Sequence, residues 1–141
     1  MSVSYTGTVD VIGEGRNGGT VRSTDGLLQH SLSIPKELGG AGDATNPEQL
    51  FAAAWAACFL GALRRAAGLR KVKLTSTAIT AEVTLTHDDD GEFHLSAILN
   101  PRLGGVDQHT AQELADAAHQ ICPYSKATRD NITVSINATA A

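Results

Sequence analysis

Cysteine is scarce in this chain: its 141 residues contain two, Cys58 and Cys122. Two thiols are too few to build a structural zinc site by themselves. A chain of this size has no need of a structural staple, and cytosolic proteins rarely keep one. The two thiols are therefore either packed and inert or a redox couple. An unbroken run of 18 apolar residues is also missing, so no membrane span is expected. The opening residues, Met-Ser-Val-Ser-Tyr-Thr-Gly, have neither a basic n-region nor an apolar h-region. No secretory signal is read, and the expected compartment is the cytoplasm. There is no basic excess: eleven Lys and Arg stand against fifteen Asp and Glu, a formal net charge of -4. That balance, with no basic recognition helix, argues against nucleic acid or an anionic membrane as partner. No Gly-rich phosphate loop, Ser-His-Asp set or His-Glu-x-x-His occurs. His87, Asp88, Asp89, Asp90 and His94 cluster, but they lack the oxygen-ligand spacing of a calcium loop. Asp-Asp-Gly is ordinary turn chemistry, so no metal is expected.

What is present reads as one domain spanning 1–141, with no internal repeat, linker or low-complexity tract. Residues 3–11 alternate with period two, placing Val3, Tyr5, Val9 and Val11 on one face, which predicts a strand. Short strands are expected at 20–24 and 28–34. Asn46 then reads as an N-cap, Pro47 as the first helical residue and Glu48 as a first-turn acid. The following run, Leu50 to Leu63, has no polar face, and a helix apolar all round is buried on all sides. A second subunit packed against it is a simple way to cover it. Arg64, Arg65 and Gly68 suit its C-terminus. Residues 75–86 and 92–99 read as a hairpin around Asp88–Gly91. Residues 107–121 return to helical spacing, with Leu114, Ala117, Ala118 and Ile121 on one face. Pro123 ends or bends that helix near Cys122, and 132–136 is a last strand. This order makes the fold class α+β.

Cys58 falls in the middle of the apolar helix, where a free thiol is commonly just packed. A reactive thiol there needs a cation or strong donors to hold its thiolate. Arg16, in the Gly-rich turn Gly13–Gly19, is the most plausible cation; the plain alternative is an exposed turn residue. Glu48 precedes Cys58 by ten positions, roughly 15 Å along a helix axis, too far to touch it within one chain. It either orients a group such as Arg16, acts across a two-fold interface, or simply complements the helix dipole. Cys122 lies near a helix end, where backbone can unwind and bring a thiol to its partner. The alternative is again a packed residue.

Two longer stretches carry a resemblance. Asn46-Pro-Glu-Gln-Leu-Phe-Ala-Ala-Ala-Trp-Ala-Ala-Cys-Phe-Leu-Gly-Ala-Leu63 and Cys122-Pro-Tyr-Ser-Lys-Ala-Thr-Arg129 resemble the two signatures of the organic hydroperoxide resistance branch of the Ohr/OsmC superfamily. Gly15–Gly18 and Pro35–Gly42 fit as well, and the resemblance runs through the whole chain in order. It implies an intertwined homodimer with antiparallel sheets around long buried central helices, and active sites at the subunit interface. It also implies residue roles: Cys58 as peroxidatic nucleophile, Cys122 as resolving thiol, Arg16 as the holder of the thiolate and Glu48 as the partner of that Arg. The implied activity is reduction of alkyl or fatty-acid hydroperoxides without a cofactor. A dithiol, such as the lipoyl group of a lipoylated protein, would recycle the resulting disulfide. Phe51, Trp55 and Phe59 are expected to wall the substrate pocket. Two positions depart from the pattern: Trp55 stands where smaller aromatics are usual, and Asp130 where Gly is more usual. A non-catalytic binder of hydrophobic ligands and a redox sensor are the other functions this fold could serve.

Overall fold

The computed structural model describes residues 1–141, and its elements fall into two units, Met1–Leu50 and Phe51–Ala141. The first unit holds three short antiparallel strands, β1 (Val9–Gly13), β2 (Gly19–Ser23) and β3 (Gln29–Leu32), in that spatial order. The strand expected from Val3 begins only at Val9. β2 offers five residues, which pair with Val9–Gly13, so residues 3–7 have no ladder to join. Val3 and Tyr5 are accordingly 94% and 88% exposed. β1 and β2 close on the pair Gly13–Gly19. Gly19 has φ +140°, and a Cβ there would stand 2.2 Å from the Ile12 carbonyl oxygen. Only glycine fits this position. The five residues between form a tight loop with a single 3-10 turn, Gly15–Asn17.

Helix α1 (Pro47–Leu69) starts as its sequence dictates. The Asn46 side-chain oxygen accepts from the Gln49 N–H at 2.9 Å, satisfying one of the free donors of the first turn. The helix runs through Gly68 to Leu69. Its end is closed instead by Lys71, which takes the left-handed conformation (φ 55°) while the Val72 N–H reaches back to the Ala67 carbonyl. The left-handed residue of this cap is thus a lysine, and Gly68 remains helical. α1 is long and apolar enough to cross a membrane by length and composition, with a mean hydropathy of 1.3. Its large side chains Trp55, Phe59 and Leu63 are nevertheless wholly buried in the fold. Its burial is one-sided: Ala53, Ala57 and Gly61 line an exposed stripe.

In the second unit β4 (Ser76–His87) and β5 (Phe93–Gly104) form the expected hairpin, β4 shifted by one residue at the expected length and β5 running five residues further than the sequence suggested. β5 continues through Pro101. The carbonyls of Leu99 and Leu103 face Asn137 and Ala141, so the missing N–H of Pro101 points to the same side. There it falls between β6 (Thr133–Ile136) and β7 (Thr139–Ala140), which pair in parallel with β5 on either side of that gap. A proline is tolerated where no ladder bond is lost. Ala97, Leu99, Pro101 and Leu103 alternate toward the core. Helix α2 (Gln108–Ile121) is capped by the Asp107 side chain, which accepts from the Thr110 N–H at 2.8 Å. It buries Ala111, Leu114, Ala115 and Ala118, a stripe one residue off the expected one, with Ala117 and Ile121 only partly covered. α2 breaks at Cys122, and a further helix, α3 (Pro123–Thr128), follows. Cys122 has extended backbone (φ −60°, ψ 121°), as a residue before proline prefers. Asp130 has φ 62°, a conformation Asp tolerates better than most side chains.

Candidate functional site

Two groups of side chains stand out, one in each unit. In the first unit Arg16 occupies the 3-10 turn between β1 and β2. Its guanidinium meets the Glu48 carboxylate in a two-pronged contact, Nη1 to Oε2 and Nη2 to Oε1, both 2.7 Å. Such a fork fixes the plane of the guanidinium as well as its position. The Glu48 side chain is 14% exposed and that of Arg16 39%. Hydrogen bonding from Arg16 holds the Glu48 carboxyl below its ordinary range, although burial opposes this. The loop supplies the reach and the first turn of α1 supplies the acid, so both are placed by local features visible in the sequence.

In the second unit Cys58 of α1 and Cys122 at the α2–α3 junction are free thiols with their sulfurs 3.6 Å apart. The buried stripe of α2 continues through Ala118 to Cys122, which is why that thiol has no exposure. A disulfide needs about 2.05 Å between sulfurs. Closure therefore takes about 1.5 Å of approach, and the unwinding expected of the helix end is not required. Burial pushes the Cys58 thiol up, the neighbouring Cys122 sulfur adds to that rise, and a bond from the Tyr124 backbone N–H opposes it. No cation of the 51–141 unit contributes.

An apolar cavity of about 250 Å³ is lined by Phe51, Ala54, Tyr124, Ala127 and Thr128, residues of the same two segments that carry the thiols, neither of which lines it. Ala54 is one turn before Cys58, and Tyr124 follows Cys122 by two. Of the three aromatics expected in a pocket wall, only Phe51 lines this cavity. Trp55 and Phe59 are wholly buried in the core cluster, because α1 turns them toward β5 and α2. Trp55 backs Phe51 edge-on, with ring centroids 5.9 Å apart, and its indole N–H donates to the Ser125 hydroxyl at 3.2 Å. Sequence reasoning passed over Tyr124, Ser125 and Thr128. They sit in the same Cys122-Pro-Tyr-Ser stretch as the second thiol, and a short helix after Pro123 was the signal that could have found them. One turn before Cys122, His119 has a buried Nδ1 without a partner, as does the Arg129 Nε nearby. Arg129 Nη2 donates to the His119 carbonyl at 2.6 Å.

Residues 40–137 match the family model for OsmC-like proteins. An organic hydroperoxide resistance protein of Xanthomonas axonopodis pv. citri is 45% identical over 135 residues, which are 95% of this chain and 94% of that one. The crystal structure of an organic hydroperoxide resistance protein from Legionella pneumophila superposes with a TM-score of 0.91 at 43% identity, covering 98% of this chain and 99% of the other. That of OhrB from Bacillus subtilis does so with a TM-score of 0.85 at 40% identity, covering 96% and 98%. With its α+β architecture and central apolar helix, the chain belongs to the OsmC-like family, in the group that contains the organic hydroperoxide resistance proteins.

Proposed function

We propose that this protein is a thiol-dependent peroxidase that reduces organic hydroperoxides to alcohols. The observation that carries the reading is the approach of two free thiols to 3.6 Å, on segments whose neighbouring residues line an apolar cavity. The names borne by relatives at 45% identity support it. In the first step the Cys58 thiolate attacks the peroxide oxygen remote from the alkyl group. The O–O bond breaks, the alkoxide leaves and takes up a proton, and Cys58 becomes a sulfenic acid. The Cys122 sulfur then attacks the sulfenic sulfur, and hydroxyl and proton leave as water, giving the Cys58–Cys122 disulfide. A dithiol reduces that disulfide by exchange and is itself oxidised to a cyclic disulfide; the family resemblance suggests a lipoyl group. The two electrons that reduce the peroxide thus come finally from the dithiol, and the scheme needs no metal or organic cofactor.

A thiolate at Cys58 needs a positive charge to offset its burial. We assign that charge to Arg16, held in plane by Glu48. Since Glu48 stands roughly 15 Å along the axis from Cys58 of the same helix, the pair serves the Cys58 of a second copy of the chain. Two α1 helices crossing antiparallel bring Glu48 of one protomer toward Cys58 of its partner. The small side chains of the Ala53–Ala57–Gly61 stripe permit a close approach. The apolar lining favours alkyl or fatty-acid hydroperoxides over hydrogen peroxide.

The test is peroxide consumption with a dithiol reductant, comparing an alkyl hydroperoxide with hydrogen peroxide. The alkyl compound is consumed faster, and Cys58→Ser consumes neither; wild-type consumption by that variant would end the proposal. Intact mass after one equivalent of alkyl hydroperoxide separates this reading from a passive binding protein, which keeps both thiols. Sustained turnover separates it from a redox sensor, which is oxidised once.

A further inference from the structure

Trp55 is the only tryptophan of the chain, and both it and Ser125 have no exposure at all. Their hydrogen bond, indole Nε1–H to Ser125 Oγ at 3.2 Å, spans 70 residues and joins two elements that also carry the two thiols. Trp55 lies three residues before Cys58 on α1, one turn away. Ser125 lies three residues after Cys122, on α3. The contacts form a closed ring: Cys58 to Trp55 along α1, Trp55 to Ser125 through the bond, Ser125 to Cys122 along α3, and Cys122 back to Cys58 across 3.6 Å. Between α3 with its Cys122 cap and α1, this is the only hydrogen bond joining two side chains apart from the thiol contact; the Tyr124 backbone N–H on the Cys58 sulfur is the other tie. At its other end α3 is tied to α2, by Arg129 Nη2 on the His119 carbonyl. α3 spans six residues, and it follows a non-helical residue, Cys122, at which the chain changes direction. Without an anchor on α1, such a segment is free to pivot about that residue and carry the Cys122 sulfur away.

We propose that the Trp55–Ser125 hydrogen bond is a positioning device for disulfide closure, holding Cys122 within reach of Cys58 so that the sulfenic acid is resolved before a second peroxide attacks it. This rests on the peroxidase reading given above. The reaction it serves adds no new reactant: sulfenic acid and thiol give disulfide and water. An indole N–H is a donor only, and burial leaves it no water to turn to, so the bond persists in the reduced protein and its geometry is set by packing. Phe51, a wall of the cavity, lies edge-on to the same indole. The ring that fixes the thiols therefore also backs the substrate wall.

The experiment measures two rates separately in the full-length protein: oxidation of Cys58 by an alkyl hydroperoxide, and formation of the Cys58–Cys122 disulfide. The extent of sulfinic acid formation at rising peroxide is read by intact mass. In Ser125→Ala the ratio of resolution to first oxidation falls about tenfold, the worth of one buried hydrogen bond, and sulfinylation sets in at correspondingly lower peroxide. Trp55→Phe, which keeps an aromatic ring but has no N–H, does the same, whereas Ser125→Thr, which restores a hydroxyl, retains the wild-type ratio. A side chain that merely stabilised the fold would shift the melting temperature and leave that ratio alone. The single indole N–H resonance of the wild type gives a measurement independent of any variant: it exchanges slowly with solvent in the reduced protein and shifts on disulfide closure. Unchanged ratios in both Ser125→Ala and Trp55→Phe, or an indole proton in fast exchange, overturn the proposal while leaving the peroxidase reading intact. Failure of the wild type to form any disulfide overturns both.

Discussion

Replacing Glu48 by Gln probes the charge that the proposed chemistry depends on most. The substitution keeps the size and one acceptor of the side chain but removes its charge, and with it one prong of the fork to Arg16, now two contacts of 2.7 Å. Charge-assisted bonds of this kind are worth up to about 3 kcal/mol when desolvated. The Arg16 side chain is 39% exposed, so solvent screening brings the loss to about 1 kcal/mol. Spent on orienting the guanidinium, that loss corresponds to roughly a fivefold to tenfold fall in the rate of Cys58 oxidation at neutral pH. The pH profile carries more information than the rate. Burial raises the Cys58 thiol above its ordinary value, and in the proposed assembly Arg16 brings it back down. Slackening Arg16 therefore moves the rise of the rate-against-pH curve to higher pH, and raising the pH recovers part of the lost rate. The opposite limb has the opposite cause. The folded-state Glu48 carboxyl is held low by Arg16, so the wild-type pair persists through the ordinary carboxylate range. Its contribution disappears only as the pH falls below that range. Rapid-mixing kinetics with an alkyl hydroperoxide from mildly acidic to alkaline pH give both limbs. Superimposable profiles for wild type and Glu48→Gln refute the assignment of Arg16 to the thiolate.

Other outcomes follow from single contacts. Cys122→Ser leaves the Cys58 sulfenic acid without its neighbour at 3.6 Å; intact mass shows sulfinic and sulfonic products accumulating at peroxide levels the wild type survives. Gly19→Ala forces a Cβ to 2.2 Å from the Ile12 carbonyl oxygen at a positive φ. The β1–β2 loop must move, peroxidase activity falls with the displaced Arg16, and the melting temperature of the variant drops. Leu63→Ala removes a fully buried side chain from the core and lowers unfolding free energy by about 3 kcal/mol in denaturant titration. Burial lowers the His119 pKa, with Arg129 adding to that effect. The unfolded chain thus takes up a proton that the folded one resists, and stability declines as the pH falls below the ordinary histidine value. His119→Gln flattens that limb of the stability curve.

How far the sequence alone reached depends on whether each feature is written in neighbouring residues or in distant ones. Helix α1 was legible because Asn46, Pro47 and Glu48 are a start signal that the fold uses directly. Its end was not, because the cap needed one left-handed residue and Lys71 takes that conformation although Gly68 is the local favourite. The alternation from Val3 described a strand, but alternation states only that a segment can pair. The partner's length decides whether it does, and β2 stops short. Pro101 is the mirror case: the residue argues for a break, and the gap between β6 and β7 removes the reason for one. The thiols were found by type and motif, yet their 3.6 Å separation could not be read from 64 positions of sequence. It results from two stripes, Trp55–Phe59–Ala62 on α1 and Ala111–Ala115–Ala118 on α2, burying into one core and carrying Cys58 and Cys122 along. The same packing explains why aromatic character misled about the pocket. Phe51, Trp55 and Phe59 follow one another at helical spacing, but a helix that buries one face can offer only its flank to a cavity. The two rings turned most directly inward became core, and the wall was completed from α3 by Tyr124, Ala127 and Thr128. Pocket shape in this chain is therefore set by how α3 lies on α1, and Trp55 makes the hydrogen bond at that contact.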